Sequence, residues 1–194
     1  IFVVPKAYGD ENNDIARVLP ADTVPLSYDD KMIYYNNANF KYLEINSKLV
    51  PYQTDEQYYE MVNKTSCELI VHSVNKSPYF FFSGSYGADL YSEVERYSIV
   101  ATAIARQYSF DVIHCHDWLT YKAGIEAKKV SNKPLLIHVH ATEYDRSGEG
   151  KINTLIYDIE KQGMDAADKI ICVSNLTKEI IVSRYNQPMD KIVV

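Results

Sequence analysis

A chain of 194 residues, 46% of them hydrophobic, can bury one well-packed core, and no run approaches the roughly 18 apolar residues that a membrane helix needs. Twenty basic against 26 acidic residues leave a net charge of −6, which repels phosphate backbones and argues against nucleic acid as a partner. Cys67, Cys115 and Cys172 are odd in number and contain no C-x-x-C pair, so a disulfide framework or zinc knuckle is not expected and a reducing cytoplasm is.

In chain order, "IFVVP" opens without an initiator methionine, and Ile1 to Val4 have the composition of a buried strand. The chain stops on a similar strand, "KIVV", so it is expected to be a domain cut at both ends. Residues 6–86 are rich in Tyr, Asn and Asp. "ARVLP" (16–20) and "KYLEINSKLVPY" (41–52) alternate as strands or hairpins do, and "CELIVHSV" (67–74) and "YFFFSG" (79–84) are short apolar bursts. The 17 tyrosines suit sugar-stacking platforms, but Asn, Ile and Lys are also plentiful, and compositional drift is the better account of most of them.

From Asp89 the texture changes. In residues 89–108, Leu90, Val94, Tyr97, Ala101, Ile104 and Tyr108 recur at helical spacing behind a candidate N-cap, Asp89. A strand follows at 111–115, a helix at 122–130, a strand at 134–140, a helix at 152–168, a strand at 169–174 and a helix at 176–185. Apolar strands alternating with helices predict an α/β fold: a Rossmann-like, mostly parallel sheet with helices on both faces.

In such sheets ligands sit beyond the carboxyl ends of the strands. Three strands end in polar groups: His116–Asp117–Trp118, His140–Ala141–Thr142 and Ser174–Asn175. Asp117 suits hydrogen bonds from sugar hydroxyls or an N-cap, Trp118 a pyranose face or plain helix–sheet packing, and His140 a donor to developing charge. Ser174 fits a helix cap better than a substrate contact.

A metal is the sharpest alternative, because His114 and His116 share one face of a strand, as do His138 and His140. Against it, no H-x-H-x-D-H run is present, the acidic residues after His140 (Glu143, Asp145) fall on an expected loop, and His114 and His138 sit where satisfied core histidines are common. No G-x-S-x-G elbow and no G-x-G-x-x-G loop occurs, Cys115 reads as a small buried hydrophobe, and "SGEG" (147–150) as a flexible loop.

These segments resemble a known family. "FDVIHCHDWLTYKAGIEAKK" is similar to the H-x-H-D-W-x-T segment of bacterial and archaeal glycogen or starch synthases, and "KPLLIHVHATEYDRSGE" to their next strand and loop. "YDIEKQGMDAADKIICVSNLTKEII" continues the match in order, so the resemblance covers roughly 89–194 well and the earlier half, chiefly "INSKLVPY", loosely. It implies a GT-B glycosyltransferase of two Rossmann-like domains with the active site between them. Such an enzyme passes glucose, with retention, from ADP-glucose or UDP-glucose to an α-1,4-glucan acceptor, and needs no cofactor or catalytic metal.

On that resemblance residues 1–194 are the N-terminal, acceptor-side domain, without the first βα unit and its glycine-rich loop and without the C-terminal nucleotide-sugar domain. His140 matches the catalytic histidine beside the transferring glucose. Asp117 and Trp118 match the H-D-W pair, and His116, Thr142, Tyr144 and Arg146 are the further substrate-binding candidates. The expected setting is cytoplasmic, with no membrane or nucleic-acid partner. Three other readings stay open: a retaining GT-B transferase for another sugar, a metal-dependent hydrolase on an α/β scaffold, and a non-catalytic glucan-binding module.

Overall fold

A computed structural model describes residues 1–9, 17–27, 30, 79–83, 90–148 and 150–194. The expected elements at 41–52 and 67–74, and the candidate cap Asp89, lie outside the described residues. Two short strands, β1 (Phe2–Val4) and β2 (Val18–Pro20), pair in parallel. The described helices and remaining strands follow as α1 (Leu90–Gln107), β3 (Ile113–His116), α2 (Trp118–Ser131), β4 (Leu135–Val139), α3 (Glu143–Ser147), α4 (Thr154–Ala166), β5 (Lys169–Cys172), α5 (Asn175–Tyr185) and β6 (Ile192–Val193).

Strands β3 to β6 form a parallel sheet in sequence order. Each neighbouring pair is joined through a helix, and crossovers of this kind are right-handed almost without exception, which stacks successive helices on one face. The packing agrees: α1 lies on α2, α2 on α4, and Tyr185 of α5 reaches Glu160 of α4. Beneath them Cys115, Leu135, Ile137, Val139, Ile170 and Cys172 are buried, the inward half of a period-two alternation. The outward half, with His114 exposed and Leu136, His138 and Ile171 half-buried, is covered by no described helix.

Close approach of α2 to its neighbours depends on two glycines. A Cβ at Gly124 would lie 2.4 Å from Cys115 Sγ and 2.8 Å from Leu135 Cδ1, so α2 sits against the sheet only because that position is bare. A Cβ at Gly163 would lie 2.4 Å from the Tyr121 ring, so α4 meets α2 the same way. The ends are chemically closed: the Asn153 side chain accepts from the Leu155 and Ile156 amides, Ser174 Oγ accepts from the Thr177 amide, and Asn132 and Asn186 end their helices at positive φ. Ser174 is therefore the cap its sequence position suggested.

Two expectations change. The strand at Ile1–Val4 is not buried, with Ile1 57% and Phe2 55% exposed. Helix α2 begins at Trp118, four residues before the expected start, because Thr120 donates from both its amide and its hydroxyl to the Asp117 carbonyl. Among the described residues β1 pairs with β2 alone and β3 with β4 alone. Between them runs a groove of about 420 Å³ lined by apolar side chains that include Phe2, Val3, Ile104, Val112 and Ile113.

Candidate active site at the strand ends

The carboxyl ends of β3 and β4 lie side by side, with His116 opposite His138 in the register. Asp117 follows β3 with φ +56°, in the left-handed region that costs a residue with a Cβ about 1–3 kcal/mol and persists only where the surroundings impose it. Its side chain does not cap α2. Instead Asp117 Oδ1 accepts the His140 amide at 2.8 Å, and the Asp117 amide donates to the His138 carbonyl at 3.0 Å. The aspartate thus ties the end of one strand to the end of the next, and the capping alternative for it falls.

His140 is exposed, and its Nε2 lies 3.1 Å from His116 Nδ1. One of those nitrogens carries the proton. If His116 donates, His140 retains a protonated Nδ1 to offer to a ligand, which is how one histidine sets another's tautomer. The rings of His114, His116, His138 and His140 stand close together, with His138 and His140 stacked at 4.3 Å and His114 and His138 at 5.7 Å. Burial first, then the neighbouring imidazoles, hold His114, His116 and His138 below the ordinary histidine pKa, with Asp117 opposing this at His116 and His138. The core role expected for His114 and His138 is not what the structure has, because both lie on the outward face of the sheet.

The remaining candidates divide differently. Trp118 is 4% exposed, packed in the core 5.8 Å from the Tyr91 ring, so the sugar-stacking reading of it gives way to the packing one. Thr142 is fully buried, and its hydroxyl and amide form a reciprocal capping box with Asp145 at the start of α3, the segment expected to be a loop. Arg146 turns inward: it donates to the Ala141 carbonyl at 2.8 Å and pairs with Glu160. Tyr144 is half-buried, edge-on to Tyr157 and Tyr185 and beneath the Arg184 guanidinium at 5.2 Å. Thr142 and Arg146 build the segment that follows His140, while His116, Asp117 and His140 supply the polar groups at the strand ends.

The support of this segment comes from a residue outside the sequence motifs. Glu160, 2% exposed, accepts the Glu143 amide at 3.0 Å, the Tyr185 hydroxyl and the Arg146 guanidinium, and burial drives its carboxyl above the usual range despite those partners. One signal was present: Glu160 falls inside the apolar stripe of α4, beside Ile159 and four residues after Ile156.

A polar histidine–aspartate group thus stands at the carboxyl ends of neighbouring parallel strands, the place where open α/β domains bind their ligands. Residues 58–194 match the family described as Glycosyltransferase Family 4, and the chain belongs to it. It is 34% identical over 87 residues to an uncharacterized glycosyltransferase of Methanocaldococcus jannaschii, a stretch covering 44% of this chain and 22% of that protein. It is also 26% identical over 129 residues to a glycogen synthase of Lachnoclostridium phytofermentans, covering 60% of this chain and 23% of that one. The chain therefore spans less than a quarter of the length of these curated relatives. Family membership makes it a transferase sequence and displaces the hydrolase reading. No described helix is long and apolar enough to cross a membrane.

Proposed function

We propose that this chain is the acceptor-side domain of a retaining glycosyltransferase that moves glucose from ADP-glucose or UDP-glucose to an α-1,4-glucan in the cytoplasm. The observation that carries the reading is the Asp117–His140 tie, 2.8 Å long, placed at adjacent strand ends within the two segments that resemble glycogen and starch synthases. Similarity to a glycogen synthase over 60% of the chain supports the glucan, and the free, buried thiols of Cys115 and Cys172 suit a reducing compartment.

In this reading His140 is the catalytic residue. A retaining transfer builds positive charge on the sugar ring and negative charge on the departing diphosphate, and an oriented N–H and a carbonyl at the reaction centre stabilise that separation. His116 sets the His140 tautomer, and Asp117 fixes the His140 backbone while offering its second carboxylate oxygen to acceptor hydroxyls. The diphosphate would be held from a second, C-terminal domain. The apolar groove between β1 and β3 supports a further parallel strand there, the first βα unit of the same domain, because each strand has an unpaired edge facing it among the described residues.

The test is incorporation of labelled glucose into glycogen by the intact protein, with ADP-glucose and UDP-glucose compared and other nucleotide sugars as competitors. Labelling from one of the two glucose donors is expected. Transfer from a different nucleotide sugar alone would replace this reading with that of another retaining transferase.

A further inference from the structure

We propose that His114, His116 and His138 form a binding site for a divalent cation of the zinc class on the outward face of the sheet. Residues 114 and 116 are alternate positions of β3 and so project to one side, and His138 is the register partner of His116 on β4. One ring nitrogen from each of the three lies within 4.8 Å of the others. Tetrahedral zinc with Zn–N bonds near 2.0–2.1 Å needs nitrogens about 3.3 Å apart, so the side chains would have to rotate inward on binding.

Three further observations bear on the site. First, the ring–ring contacts of His114 and His138 are all with other imidazoles, and among the described residues neither makes a side-chain hydrogen bond that a metal would break, while the His116 Nδ1–His140 Nε2 bond is kept if His116 binds through Nε2. Second, His114 and His116 are exposed and His138 half-buried on the face of the sheet that no described helix covers. Third, Asp117 acts electrostatically on both His116 and His138 and would offset the charge of the ion. Cys115 projects to the opposite, helix-covered face, so the donor set is nitrogen alone. Imidazole donors suit zinc, cobalt, nickel and copper, whereas magnesium and calcium require oxygen. The site stands on the sheet geometry but shares His116 with the His116–His140 pair of the proposed reaction site, so its test reads metal binding and not glucose transfer.

The experiment uses the intact protein, free of any affinity tag and stripped of metal. Cobalt(II) is titrated in and followed by its visible absorption, and zinc is then added in competition. One cobalt per chain with tetrahedral bands is expected, displaced by zinc. His114→Ala and His138→Ala should each weaken binding about tenfold or more while far-ultraviolet circular dichroism of the metal-free protein stays as in wild type. His114→Gln and His138→Gln repeat the comparison if an alanine variant misfolds. No cobalt band, or equal affinity in folded variants and wild type, would overturn the site.

Discussion

Asp117 holds a positive-φ, extended-ψ backbone conformation that favours glycine, and spends its carboxylate on the His140 amide instead of on its own helix. This gives a clean separation of charge from structure. Asp117→Asn is isosteric, carries the same backbone strain as the aspartate, and its amide oxygen still accepts from His140, so the melting temperature should stay within a few degrees of wild type. Glucose transfer should nonetheless fall about tenfold or more, since the charge is gone; an unchanged rate would remove the carboxylate from the chemistry. Thr142 tests the converse. Thr142→Ala should cost about 1 kcal/mol, a typical cap loss, read from urea unfolding, because its hydroxyl caps α3. If Thr142 instead contacted substrate, acceptor KM would rise with stability unchanged.

At the level of elements, α2 is held by bare positions. Gly124→Ala and Gly163→Ala should each destabilise by about 1–3 kcal/mol, the usual cost of overpacking, because the added methyl meets Cys115 and Leu135 in one case and the Tyr121 ring in the other. Equilibrium unfolding measures both. The β4–β5 connection carries a pH-dependent term through Asp168, which accepts from Lys128 Nζ at 2.8 Å and from the Leu135 amide at 2.7 Å. Those bonds, the lysine first, hold its carboxyl below the ordinary 3.8. The folded value lies below the unfolded one, so this contribution is present above the unfolded pKa and is lost as pH falls through the folded value. Asp168→Asn should therefore lose less stability than wild type between pH 6 and pH 3, compared by urea midpoint.

The same elements show what can be read from sequence. The strands and helices after residue 89 were legible because their apolar residues recur at periods of two and about 3.6, and β4 and α5 fall within about a residue of expectation. The start of α2 was not: Trp118 and Tyr121 lie on its buried face, but the polar Thr120, which bonds back to the Asp117 carbonyl, breaks the apolar run at the strand end. Of the site, the H-D-W strand end and His140 were recognisable by position. The fates of Trp118, Thr142 and Arg146 were not, since burial is decided by partners distant in sequence: Tyr91 for the first, Glu160 for the last. Helix α3 is too short for its periodicity to show, although its T-x-x-D capping pair was there to be seen.

Among the described residues, one layer of helices lies on a parallel sheet whose strand ends carry His116, Asp117 and His140, in a chain of Glycosyltransferase Family 4. The buried network of Glu160, Arg146 and Tyr185 under the loop after β4 gives His140 a fixed neighbourhood, as a preorganised site requires. The most direct measurement is the initial rate of glucose transfer to glycogen by the intact protein and by His140→Ala, with circular dichroism showing both folded. The account predicts a loss of about a hundredfold or more in the variant, as for removal of a group that stabilises transition-state charge. A folded His140→Ala protein that transfers glucose at the wild-type rate would contradict it.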